Sequence, residues 1–90
     1  MDLTNLKYVE VPMVVLTDEE LSSTSKVLMG LITTFTMQKG FCYASNKKLS
    51  EYMKVSKRTI TGCLTSLRRK NYIRIEQLPN ERRIYLANIF

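Results

Sequence analysis

Ninety residues, 44% of them hydrophobic, suffice for one small core and leave little stability to spare. The formal charge is +6, there is no histidine, and Cys42 and Cys63 stand far apart in no CxxC pattern. That excludes a zinc site and predicts two buried thiols in a reducing compartment. No apolar run is long enough to span a bilayer and Met1-Asp2 does not begin a signal peptide, so the chain reads as cytoplasmic.

From Leu3 to Leu16 the sequence predicts an extended or irregular arm. Pro12 lacks a donor and biases Val11 away from helix, while Val14, Val15 and Leu16 are expected to tuck against the core. Thr17-Asp18-Glu19-Glu20 has capping-box spacing and predicts a single helical turn. A first full helix follows, capped by Ser22 or Ser23 and running to about Met37, with Val27, Leu28, Leu31, Ile32 and Phe35 at helical spacing. Gly30 inside it costs about 1 kcal/mol relative to alanine, and a close approach by a neighbouring element would account for it. Lys39-Gly40 ends the helix, and Phe41-Cys42-Tyr43 reads as a very short strand.

Ser45 caps a second helix over 46–54, with Leu49, Tyr52 and Met53 inward, and Val55 fills the turn before Ser56. The third helix, from Ser56 to Asn71, carries Ile60, Cys63, Leu64 and Leu67 on one apolar stripe. Its other positions are Lys57, Arg58, Thr59, Thr61, Gly62, Thr65 and Ser66, with no acid among them. Asn71 suits the left-handed residue that ends a helix, and Tyr72 the closing apolar contact. Beyond Asn71 the period falls to two: Ile73 and Ile75 alternate with Arg74 and Glu76, then Ile84 and Leu86 with Arg83 and Tyr85. With Pro79-Asn80 between them, 72–77 and 82–87 should pair as a hairpin that the short strand joins as a third strand. Two capped helices three or four residues apart have helix-turn-helix spacing, and the whole order predicts an α+β, mainly α, winged helix-turn-helix. Residues 1–16 form its arm and residues 17–90 the domain.

The Val11-Pro12 arm with Leu21, Ser22 and Lys26, then Phe41 to Asn46 with Leu49, resemble the winged helix-turn-helix domains of phage and plasmid replication proteins. So, most specifically, does Val55-Ser56-Lys57-Arg58-Thr59-Ile60 with Leu64, Leu67, Asn71, Tyr72 and Ile73. The resemblance spans about residues 8–86 and is specific for the fold; transcription repressors and activators share that fold. It implies a phage, plasmid or other mobile-element setting, in replication initiation or transcription control, inside a bacterial cell or infected host. The chain departs from the family at Gly62, where a large polar residue is usual, and at Asn71, where glycine is common.

Charge is segregated along the chain. Residues 1–20 set Lys7 against Asp2, Glu10, Asp18, Glu19 and Glu20 for a net −4, and residues 21–53 sum to +3. From Lys54 to Arg83, nine basic residues face Glu76 and Glu81, a net +7 over the third helix and the hairpin. A polyanionic partner follows from this pattern, with solvated lysines as the plainer account. Arg58 and Thr59, at the start of the third helix, are the candidate base readers. Thr61 and Thr65 could meet thymine methyls or phosphates, or stay solvated. Ser56, Lys57, Lys47 and Lys48 lie at helix N-termini where amides and lysines hold phosphate, and Arg82 and Arg83 in the wing suit minor-groove or backbone contact. Arg68, Arg69 and Lys70 complement the helix dipole. The five tyrosines, scattered over different elements, read as packing residues, as do Met13, Met29, Met37 and Met53.

No paired carboxylates, Gly-rich loop or metal set point to an enzyme or a cofactor. The leading expectation is double-stranded DNA binding, with a homodimer and a partner from the replication or transcription machinery left open. The alternative is a protein-interaction module in which the same fold holds a host factor or repressor through the third helix or the acidic arm. The chain reads either as a complete small protein or as the first domain of a longer one.

Overall fold

The computed structural model describes residues 7–87, folded as α1 (Met13–Leu16), α2 (Ser23–Lys39), α3 (Asn46–Met53), α4 (Lys57–Arg69), β1 (Ile73–Gln77) and β2 (Arg82–Leu86). Each of the three longer helices starts on a serine whose hydroxyl accepts an orphan first-turn amide: Ser22 from Ser25, Ser45 from Lys48, and Ser56 from Thr59. The ends are equally local. Gly40 closes α2 at φ 88°, and Asn71 stands at φ 64° just beyond α4. There the Asn71 amide donates to Arg68 and the Tyr72 amide to Leu67, and Tyr72 is buried behind them. This double closure satisfies carbonyls that the helix would otherwise leave open.

One core unites the elements. Leu28, Met29, Ile32 and Phe35 of α2 meet Leu49 of α3, Ile60 and Leu67 of α4, and Ile84 of β2, all without solvent exposure. Cys42 and Cys63 are both buried free thiols, and burial pushes the Cys42 thiol up in pKa. No described helix is long and apolar enough to cross a membrane.

The strands pair antiparallel with Ile73 opposite Leu86, Ile75 opposite Ile84 and Gln77 opposite Arg82. Phe41-Cys42-Tyr43 contributes less than the expected strand. Only Cys42 pairs, exchanging two backbone hydrogen bonds with Ile84 at 2.8 and 2.7 Å. The partner is the one the sequence predicts, and the assembly is a winged helix-turn-helix.

Five expectations are corrected. The arm is not irregular throughout: 13–16 form a helical turn, because Pro12 stands before its first residue, where no donor is needed, and its carbonyl accepts from Val15 and Leu16. The turn expected over Thr17–Glu20 forms one residue later and without helix, since Thr17 is already the cap of α1 and the Leu21 amide donates to the Asp18 carbonyl at 3.2 Å. A single helical turn can aim only one residue inward, so Val15 is buried while Val14 and Leu16 are about half exposed. Among the described methionines only Met29 is fully buried; Met13 and Met37 are exposed, as is Val27 on the outer side of α2.

Gly30 is explained by the arm. A Cβ there would lie 2.8 Å from Val11 Cγ2 and 3.1 Å from Val9 Cγ2, so the arm crosses α2 directly over the missing side chain.

Candidate nucleic-acid interface

The turn between α3 and α4 is only Lys54-Val55-Ser56. Lys54 takes a left-handed conformation at φ 57°, Val55 donates back to Ser50 at 3.1 Å, and the Val55 side chain packs on the core. The turn thus fixes α4 against α3 at both ends of three residues. At 100° per residue, burial of Ile60, Cys63, Leu64 and Leu67 leaves Arg58, Gly62, Thr65 and Arg69 at the centre of the opposite arc. Thr61 and Arg68 flank that arc on the side of the hairpin, where they line a shallow concavity with Ile75 and Arg82.

The cations divide into two sets. Lys47, Lys57, Arg58, Arg68 and Arg69 are exposed and have no ion-pair partner among the described residues. Lys48 reaches Glu51 at 3.9 Å, an exposed pair that contributes little. Lys70, by contrast, is tied to Asp18 at 3.1 Å and Glu20 at 3.2 Å, and these two hydrogen bonds raise its pKa. Asp18 also accepts a 2.6 Å bond from the Tyr72 hydroxyl and one from the Glu20 amide, which hold its carboxyl down to about 2. The acidic segment after α1 is therefore latched to the far end of α4. The positive arc stays open.

Hydroxyl bookkeeping separates the candidate base readers. Ser56 and Thr59 face each other at 3.0 Å in the cap. Thr61 donates to the Lys57 carbonyl at 3.0 Å, and Thr65 to the Thr61 carbonyl at 2.9 Å. The protons of Thr61 and Thr65 are therefore committed to the helix itself, which leaves Arg58 and Arg69 as the strong donors of the central arc.

Arg82 lies elsewhere than the wing surface expected of it. It is half-buried, with one terminal nitrogen donating to Asn46 Oδ1 at 2.6 Å and the other to the Ala44 carbonyl at 2.8 Å. Its Nε is buried without an acceptor among the described residues, and desolvation lowers its pKa. Asn46 Nδ2 in turn donates to Thr61 at 3.2 Å. The chain Arg82–Asn46–Thr61 thus ties hairpin, α3 and α4 together just behind the outward arc. The cause is strand alternation, since Arg82 shares the inward face with Ile84 and Leu86. Asn46 was missed from sequence, but that same parity would have found its partner.

Arg83, on the opposite face, pairs with Glu81 at 2.9 Å and lies 4.5 Å from the Phe41 ring centroid. The Glu81 hydrogen bond is the largest cause of its raised pKa. Arg74 covers Tyr85 at 4.4 Å, and Phe41 meets both Tyr43 and Tyr85 edge-on or tilted. Tyr43 and Tyr85 therefore do share one sheet face, contrary to the scattered arrangement expected. The guanidinium groups already cover the Phe41 and Tyr85 rings, so this face is a stiffened sheet rather than a stacking platform.

Among the described residues no cluster of histidine, cysteine or acids could hold a metal ion. A family model described as a helix-turn-helix domain matches residues 19–73, from just before α2 to the first residue of β1. Among curated proteins and solved structures, none matches the chain.

Proposed function

The chain belongs to the helix-turn-helix domain family, and from that premise we propose that it binds specific sites on double-stranded DNA with α4 in the major groove. The observation that carries this reading is the outward arc of α4. It presents Arg58 and Arg69, with Lys57 and Arg68 beside them, on a surface where no acid competes for them. Arg58, in the first turn, is the base reader, because a guanidinium can grip guanine O6 and N7 with two parallel hydrogen bonds. Thr59 holds the cap and offers its methyl to the groove wall. Lys57, Lys47 and Lys48 meet phosphates beside the free amides at the starts of α4 and α3. Arg83 and the hairpin tip follow the flanking backbone, while Arg82 acts from behind, by holding the hairpin to α3 and α4. The setting that best suits the resemblance is replication initiation or transcription control on a phage, plasmid or other mobile element.

Selection of bound duplexes from a random library, followed by anisotropy titration at several salt concentrations, tests this reading. With about six basic side chains on phosphates the log–log salt slope should be near −5. Arg58→Ala should cost roughly 1–3 kcal/mol on the selected site and relax preference at one base pair. Half-sites recurring about one helical turn apart would report a dimer. Affinity indifferent to salt and sequence would defeat the proposal.

A second reading, a protein-interaction module, draws on α1, where Met13, Val14 and Leu16 leave apolar surface in water. It predicts that replacing these three with polar residues abolishes partner capture while DNA affinity is unchanged.

A further inference from the structure

Two glycines lie inside helices, and the fold needs only one of them. At Gly30 the arm fills the space where a Cβ would stand. At Gly62 no described residue outside its own stretch of helix comes within 4 Å of that position, and the backbone is ordinary right-handed helix. An alanine there would favour the helix and touch nothing. The chain nonetheless keeps its least helix-favouring non-proline residue at the middle of the outward arc, four residues after Arg58 and three before Thr65. What a glycine adds at such a place is room for another molecule to approach the backbone.

The surroundings say what would approach. Thr61 and Thr65, both on the hairpin side of Gly62, have turned their hydroxyl protons into the helix and are left with methyl groups and acceptor oxygens but no donor. Along the centre of the arc no charged side chain stands between Arg58 and Arg69, roughly 16 Å apart along the axis, since Arg68 flanks the arc on the hairpin side. The groove-facing centre of α4 is therefore bare and weakly apolar, with a guanidinium at each end. In the major groove, the one apolar group that a base pair displays is the 5-methyl of thymine.

Resting on the DNA-binding reading, we propose that Gly62 is a specificity-determining position that seats a thymine methyl against the α4 backbone, with Thr61 and Thr65 as the wall of the seat on the hairpin side. The preferred site then carries a thymine between the base pair read by Arg58 and the phosphates met near Arg69. A side chain at position 62 would occupy the place of that methyl.

The test uses the 90-residue protein and its Gly62→Ala variant on one duplex recovered by selection. Each thymine of that duplex is replaced singly by deoxyuridine, which removes only the methyl. The wild type should lose about 4-fold at one position, the worth of a single buried methyl. Gly62→Ala should lose roughly 10-fold or more on the thymine duplex, by overpacking. On the deoxyuridine duplex it should fall less than about 3-fold below the wild type, because the vacated space admits its Cβ. Its melting temperature should be no lower than that of the wild type, which separates a lost contact from a damaged fold. A deoxyuridine scan without a sensitive position overturns the inference, as does a Gly62→Ala loss that is the same on both duplexes. In either case Arg58→Ala would still weaken binding, and the DNA-binding reading would stand. If the wild type ignores every duplex in dilute buffer, that reading falls and takes the inference with it.

Discussion

Helices α2 and α4 each bury one face in the same core, yet their outer sides are governed by different things. The outer side of α2 is closed over Gly30 by the arm, whose Val9 and Val11 sit where a side chain would be. The outer side of α4 is left open around Gly62, with free arginines at both ends. The same residue type in the same kind of element thus records two constraints, one set by the protein's own packing and one by what the protein meets.

If that contrast is right, the inner faces should respond alike and the outer faces should not. Ile60→Ala in α4 empties a fully buried site and should cost about 2–5 kcal/mol in urea unfolding, with Leu28→Ala in α2 in the same range. A cost below about 1 kcal/mol at Ile60 would mean that α4 is not anchored as described. Next in size is Arg82→Met, which leaves Asn46 Oδ1 and the Ala44 carbonyl without their donor and should cost roughly 1–3 kcal/mol. It should also weaken DNA binding on every sequence by a similar factor, because it loosens the frame and not the reading face. Loss confined to one base pair would instead make Arg82 a direct reader.

Alanine at the two glycines should then give opposite signs. Gly62→Ala should raise stability by up to about 1 kcal/mol. Gly30→Ala should lower it by roughly 1 kcal/mol, as overpacking against Val11 outweighs the helix gain. Two values of the same sign would erase the distinction.

The smallest effect concerns the latch at the far end of α4. Asp18 titrates at about 2 when folded, against 3.8 ordinarily, so its contribution is fully present above pH 3.8 and is lost as the pH falls towards 2. The difference in melting temperature between wild type and Asp18→Asn should shrink across that window. On the alkaline side the raised pKa values of Tyr72 and Lys70 mean that the latch weakens above about pH 10.

Much of this architecture is local enough to read directly. Ser22, Ser45 and Ser56 announce helix starts through bonds made within three residues, and Asn71-Tyr72 announces an end. The apolar stripe of α4 and the period-two run after it are equally legible, because burial repeats with the geometry of the backbone. The short-range rules also had limits. Capping-box spacing at Thr17 was overruled when Pro12 started α1 early, and Val27 and Met37 have the composition of core residues but face water.

By itself the sequence determined the element order, the winged helix-turn-helix and the outward placement of Lys57, Arg58 and Thr59, since caps, periodicity and charge all act within a few residues. Only the tertiary structure decided that Lys70 is neutralised by Asp18 and Glu20, that Arg82 braces Asn46 and Ala44, and that Gly30 is covered while Gly62 is bare. Those outcomes depend on which distant segments share a surface. Asp18 and Lys70 are 52 positions apart, Ala44 and Arg82 are 38, and no local rule reaches that far.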